Sequence, residues 1–203
     1  MKPNAKNYIC INGKKTELTK EQLKQLGIIE ETCHISKDGK TAHIGEYEFI
    51  VINTDETLGT TSLLLKGTLG DMKFGDTNDF RTSEIKKRLE KFADEIGGII
   101  GEENLVEHIV DLTADDGLKC YGTTKEKMSL LTANMARENV EILDEFKVDC
   151  WWWLVTPYST PKHDIKTTVK CVSPRGNFDY YDCIFVSGGV RPFCIVKSSI
   201  FVS

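Results

Sequence analysis

"CWWWLVTP", residues 150–157, holds all three tryptophans of the 203-residue chain and governs how the rest is read. Its run of aromatic and branched side chains predicts a strand. Alternation then sends Trp151 and Trp153 to one face and Trp152 to the other. Each face therefore needs apolar surface or a ligand against it. Two readings stay open: a strand pinched between two layers, or an aromatic platform for a sugar or a protein.

Downstream of this strand the chain reads as further short strands. They are divided by turn residues at Pro157 to Pro161, Ser173-Pro174-Arg175-Gly176-Asn177 and Ser187-Gly188-Gly189. Upstream lie two helical patterns. In the first, opened by Phe80-Arg81-Thr82-Ser83, Ile85, Leu89, Phe92, Ala93 and Ile96 recur at helical spacing, and Gly97-Gly98 is expected to stop it. The second runs from Ala133 to Phe146, capped by Thr132, with Met135, Val140, Ile142, Leu143 and Phe146 as its apolar face. Leu105 to Leu112 and Met128 to Leu131 read as strands. So do Glu46 to Ile52, Ser62 to Lys66, and a hairpin over Thr32 to Ile44 that turns at Asp38-Gly39. Strand segments precede and follow the helices without βαβ alternation, which predicts an α+β fold with small antiparallel sheets.

The first residues form a separate pattern. Asn12-Gly13 between Tyr8 to Ile11 and Lys14 to Leu18 predicts a hairpin, and Thr19 with Gln22 predicts the capping box of a short helix ending at Gly27. Residues 1–27 are too few to bury a core alone. They are read as an attachment segment ahead of a domain at 28–203.

A hydrophobic share of 40% supplies a core, and a charged share of 28% an ordinary surface. The net charge of −5 argues against nucleic acid and anionic membranes as partners. No apolar run reaches the length of a membrane span. Met1 to Asn7 lacks the apolar core of a signal peptide, so synthesis in a cytoplasm without an export address is expected. The seven cysteines include no C-x-x-C pair, and His34, His43, His108 and His163 complete no metal-binding spacing. The expectation is free core thiols with no metal and no cofactor. Asp115-Asp116-Gly117 is read as a turn, because no spaced acidic set accompanies it.

A second motif, Gly189-Val190-Arg191-Pro192-Phe193, follows Trp152-Trp153-Leu154-Val155-Thr156-Pro157. Met72-Lys73-Phe74-Gly75, Arg81 to Ile85 and Ser129-Leu130-Leu131-Thr132 precede them. In this order, from about residue 40 to residue 197, the chain resembles a family of uncharacterised domains of Firmicutes and their phages. That family resembles the C-type-lectin-like fold of formylglycine-generating enzymes and of the variable proteins of diversity-generating retroelements. The resemblance implies a C-type-lectin-like domain with two helices, and a central Trp strand with helices on one face and loops on the other. It further implies structural roles for Trp152 and Trp153, and an Arg191 that fixes loops through buried hydrogen bonds. Val155 departs from the pattern, which usually has Arg there.

Three functions follow as expectations. A formylglycine-generating-like enzyme would need a metal-binding cysteine pair, and no motif of that chemistry surrounds Cys183 or Cys194. No nucleophile elbow, phosphate loop or H-E-x-x-H is present either, so no catalytic residue is expected. A binding domain is favoured by Tyr158, His163, Arg175, Asn177, Phe178, Tyr180, Tyr181 and Asp182, which crowd the segment between the two motifs in the mixture that recognition loops use. Phage relatives suggest a virion-surface protein made in the host cytoplasm, a capsid decoration or fibre part. It would be a homo-oligomer, docked to other virion subunits through residues 1–27 and facing a host-surface glycan or protein. A cytosolic ligand-binding module is the alternative.

Overall fold

The computed structural model describes residues 8–11, 14–17, 33–184 and 188–201. The chain divides into two compact units, Met1–Thr32 and Cys33–Ser203. In the first, β1 (Tyr8–Ile11) pairs antiparallel with β2 (Lys14–Glu17), Ile11 opposite Lys14, while Asn12-Gly13 lies outside the described residues. The helix expected at Thr19 to Gly27 lies outside the described residues.

The second unit begins with the hairpin of β3 (Cys33–Ile35) and β4 (Thr41–Ile44). It turns at Gly39, whose φ of 73° suits glycine. Then come β5 (Tyr47–Asp55), β6 (Thr60–Leu65), β7 (Asp71–Met72), the helix α1 (Glu84–Ile100), β8 (Leu105–Val106), β9 (His108–Asp111), β10 (Thr123–Glu126) and β11 (Met128–Ser129). The helices α2 (Ala133–Glu138) and α3 (Val140–Glu145) follow. The chain closes with β12 (Trp152–Pro157), β13 (Thr168–Val172), β14 (Phe178–Asp182), β15 (Gly188–Gly189) and β16 (Phe193–Lys197).

Among the described residues the unit is α+β with three α-helices and several antiparallel pairings. A seven-stranded sheet runs β11-β16-β6-β5-β4-β3, with β8 also on β16, and a five-stranded sheet runs β14-β13-β12-β15-β7. β9 and β10 form a separate ribbon. The expectation of two helices and small antiparallel sheets is thereby corrected. One sheet is large, and β12 pairs parallel with β15 at Trp152 and Gly189.

The helices differ from expectation at their ends. Ser83 caps α1 by accepting the Lys86 N–H at 3.1 Å, and Ile85, Leu89, Phe92, Ala93 and Ile96 are its buried face. The helix does not stop at Gly97-Gly98. Gly97 is buried, and a Cβ there would meet Glu102 Cγ at 3.2 Å, so this glycine serves close packing. The stop falls at Gly101, at φ 87°. The expected Ala133 to Phe146 helix is broken at Asn139, whose side chain donates to the Met135 carbonyl at 2.8 Å. The break turns the second piece, leaving Val140 exposed while Ala133, Ala136 and Leu143 are buried.

Two apolar clusters share the strands. Phe49, Leu63, Trp153 and Val155 join Phe74, Phe80 and the buried face of α1 in one. Ile50, Leu64, Trp152 and Leu154 join Ala133, Ala136 and Leu143 in the other. Neighbouring residues of β5, β6 and β12 thus part to opposite sides, and each side ends on a helix. The Trp strand is third of five in its sheet, with apolar packing on both faces. Helices lie on both sides, where the resemblance implied loops on one.

Candidate functional site

β12 loses its regular pairing with β13 midway and regains it at its last residue. Trp152 faces Val172 and Trp153 faces Cys171, but the register shifts before Pro157 meets Val169. In the gap the Val155 N–H donates to the Leu131 carbonyl at 2.9 Å. Thr156 Oγ1 accepts the Ala133 N–H at 2.9 Å, and the Pro157 carbonyl accepts the Asp115 N–H at 2.9 Å. Three chain segments are so tied at one corner: the end of β12, the start of α2 and the loop after β9. Their junction encloses a cleft of about 250 Å³, lined by Asp111, Thr113, Asp115, Lys119, Asn134 and Arg137 together with Thr156.

Asp115 organises the charges. Arg137 Nη2 donates to its Oδ1 at 2.6 Å, and Lys170 Nζ lies 3.3 Å from its Oδ2. Burial pushes this carboxyl up. The Arg137 hydrogen bond and the Lys170 and Arg137 charges outweigh that, and its pKa lies below the ordinary aspartate value. Lys170 projects from β13 and is only 7% exposed. Its ammonium stands 6.0 Å from the ring centre of Tyr158 and 5.8 Å from that of Tyr180, rings that are themselves 4.5 Å apart. Arg137 also donates to Asn134 Oδ1 at 3.1 Å and lies over the Phe178 ring at 5.7 Å.

Asp115-Asp116-Gly117 is a turn, with Gly117 at φ 85° and its N–H donated to the Ala114 carbonyl. Asp116 has partners of its own. It accepts from the Ser159 hydroxyl and the Leu118 N–H and meets His163 Nδ1 at 3.1 Å, contacts led by Ser159 that lower its pKa. Behind the loops sits the fully buried Asn78. Its amide donates to the Ser159 and Thr168 carbonyls at 2.9 and 3.0 Å, and its Oδ1 accepts from the Tyr121 hydroxyl at 2.7 Å. All of its side-chain hydrogen bonds hold site loops in place.

The residues singled out from sequence fall in separate places. Tyr158, Phe178 and Tyr180 meet on the Lys170 and Arg137 side. Tyr181, next to Tyr180 on one strand, points to the opposite face and packs edge-on against Trp151 at 5.2 Å. His163 binds Asp116, while Arg175 and Asn177 are exposed on the turn between β13 and β14. Asp182 accepts the Ile184 N–H at 3.0 Å. The eight do not form a single surface. Asp111, Asp115, Lys119, Asn134, Arg137, Thr156 and Lys170 were not singled out as ligand contacts. Lys170 did carry a signal, a cation at an inward position of an apolar strand.

β14 is an edge strand. The Cys183 N–H donates to Thr167 and the Ser173 N–H to Asn177, so alternation turns the backbone groups of Phe178, Tyr180 and Asp182 outward. The Tyr180 N–H is covered by its neighbour Asp179, which accepts it at 2.9 Å.

The framework residues are deeply placed. Trp153 donates its indole N–H to the Met72 carbonyl at 2.9 Å. Arg191, 1% exposed, donates to the carbonyls of Leu65, Lys66 and Phe146 at 2.8, 3.0 and 2.9 Å and lies 5.2 Å over Trp152. Burial pulls its pKa down to about 10. Burial pushes the thiols of Cys171, Cys183 and Cys194 up to about 12, 11 and 12. Among the described residues, no group of three or more His, Cys, Asp or Glu side chains is placed to hold a metal ion. None of the described helices is long and apolar enough to cross a membrane.

Residues 83–198, from the cap of α1 to just past β16, match a family described as a domain of unknown function, DUF6273. The chain belongs to this family. The DUF6273 match covers α1 to α3, both motif strands and every lining residue of the cleft, but leaves β3 to β7 outside. No curated protein and no solved structure matches the chain.

Proposed function

We propose that residues 33–201 form a non-catalytic recognition domain whose ligand is a saccharide held at the Asp115–Arg137 cleft. The observation that carries this is a polar cleft whose Asp115 is joined through Lys170 to an aromatic pair outside the cleft, Tyr158 and Tyr180. Vicinal hydroxyls donate and accept at once, and Asp111, Asp115, Asn134 and Arg137 offer both functions within one concavity. The C–H face of a sugar needs a flat apolar partner, and Tyr180, 50% exposed beside Tyr158, is one.

The C-type-lectin-like fold belongs to the same proposal. It is supported by the motif resemblance and by a central Trp strand followed by the loop that carries Tyr158 and the edge strand that carries Tyr180. The resemblance to phage domains supports placing the protein on a virion surface as a homo-oligomer, with residues 1–27 docking to other virion subunits and the cleft facing a host-surface glycan.

The test is a panel of neutral and charged oligosaccharides titrated into the full chain and its Tyr180→Ala variant. Saturable binding that weakens at least about tenfold in the variant is expected, the scale of one lost stacking contact. No binding to any saccharide, or binding indifferent to Tyr180, contradicts the proposal. Electron microscopy of virions tests the setting: a regular capsid or tail position is expected, and absence of the protein from particles overturns it.

A further inference from the structure

A row of side chains crosses the seven-stranded sheet near its β3 edge. His34 on β3 stands directly opposite His43 on β4, and their rings stack with centres 4.6 Å apart and planes inclined by 11°. His43 in turn stands opposite Glu48 on β5, its Nε2 3.9 Å from Glu48 Oε1. Both oxygens of Glu48 accept from Lys66 Nζ, at 2.9 Å each. The other charged groups of this corner lie elsewhere. Lys40 pairs with Glu145 on α3, and Asp38 accepts from the Ser36 hydroxyl and the Lys40 N–H. Lys37 and Glu46 are exposed on the two flanking turns, without an ion-pair partner among the described residues. Glu48 is thus the carboxylate in reach of the histidine pair among the described residues, and an ammonium already matches it. β3 is an edge strand of three residues, paired with β4 alone among the described residues, and it starts directly after the first compact unit ends at Thr32.

We infer that the stacked histidines are an acid-sensitive clasp: uncharged, they hold β3 on the sheet, and doubly protonated, they drive it off β4. Histidine is the side chain that gains charge in mildly acidic solution. One protonated ring can rest on a neutral one and take Glu48 as its counter-charge. Two protonated rings are like charges on directly opposite residues, which destabilises a strand pair. Glu48 cannot offset both, because Lys66 shares it. The strand that yields is the one with least to hold it. β3 has three residue pairs on one side, whereas β4 is also bound to β5. The folded edge therefore resists the second proton, so its hold is full at neutral pH and weakens as pH falls through the histidine range. Acid thus loosens the strand by which the chain enters its second unit.

The test is amide hydrogen exchange of the full chain at about pH 7.5 and about pH 5, corrected for the intrinsic rate at each pH. The Ser36 N–H, which donates to the Thr41 carbonyl at 2.8 Å, reports on β3, and the amides of β6 report on the sheet as a whole. Protection at Ser36 is expected to fall at least about tenfold more than at β6. In His34→Gln and in His43→Gln, each left with one imidazole of the pair, that extra loss is expected to vanish. Reading both places in one molecule separates the clasp from any global loss of stability in acid, to which His108 contributes. A parallel fall at Ser36 and β6 overturns the inference, and so does an extra loss that persists in either variant. Imidazole NMR titration of the parent covers a variant whose β3 is loose at every pH. The two rings are expected to protonate in separate steps, with Ser36 losing protection on the second, and loss on the first step overturns the inference.

Discussion

Arg191 and Lys170 are both buried cations, and their surroundings differ. Arg191 meets three backbone carbonyls at hydrogen-bonding distance and the face of Trp152. Lys170 has one carboxylate that it shares with Arg137, two tyrosine rings, and a polar cleft next to that carboxylate. A buried charge whose donors are met within the chain is framework. One whose donors are left partly open beside a cleft is poised for something from outside. Removal should therefore damage stability at Arg191 and binding at Lys170.

The largest effect is expected at the framework. Arg191→Met leaves three inward carbonyls without their donor, at a cost of about 4 kcal/mol in urea unfolding. Trp152→Ala should cost about 3–5 kcal/mol, as the cavity in the second cluster dictates. A melt like the parent's for either would break the framework half of the comparison. Gly188→Ala comes next. Its Cβ would lie 2.2 Å from Trp153 Nε1, an indole fixed by the Met72 carbonyl, and a loss of about 2–3 kcal/mol is expected.

A pH-dependent effect follows from His108. Its Nε2 is 3.0 Å from Ser129 Oγ, its ring packs edge-on to Phe193, and burial holds its pKa below the ordinary 6.5. As pH falls below 6.5 the unfolded chain gains a proton that the folded chain refuses, so stability declines until the folded imidazole also titrates. Urea unfolding at about pH 7.5 and about pH 5 should show this decline in the parent and a smaller one in His108→Gln. Equal declines in both would remove His108 as the cause.

The smallest stability effect belongs to the cleft. In Lys170→Met the stem is replaced by similar volume and Asp115 keeps Arg137, so stability should stay within about 1 kcal/mol of the parent. A loss as large as that of Arg191→Met would erase the distinction between the two cations.

Local chemistry made much of the fold legible. Asp38-Gly39 marks a hairpin because few residues accept the positive φ that Gly39 adopts, and the spacing from Ile85 to Ile96 marks α1 because it makes one face apolar. Period-two alternation in β12 explains why Trp152 and Trp153 part to different clusters. The same rule would have separated Tyr180 from Tyr181, and it shows Lys170 as an inward cation. What stayed hidden was long-range. The parallel contact of Trp152 with Gly189 and the seven-stranded sheet depend on segments far apart in sequence. The break at Asn139 depends on a side chain bonding back to Met135. The Asp115–Arg137–Lys170 cluster is made by three elements that only the fold brings together.

The central claim is that the cleft, and not the Trp strand, is where the ligand binds. Its most direct test is an amide NMR titration of the full chain with the oligosaccharide that binds tightest. The account predicts shifts that concentrate at Asp111 to Lys119, Thr132 to Arg137 and Thr156 to Tyr158, with Trp152 to Leu154 and Val190 to Phe193 unmoved. Shifts centred on Trp151 and Tyr181, or on the turn at Arg175 to Asn177, with the cleft unmoved, would contradict it.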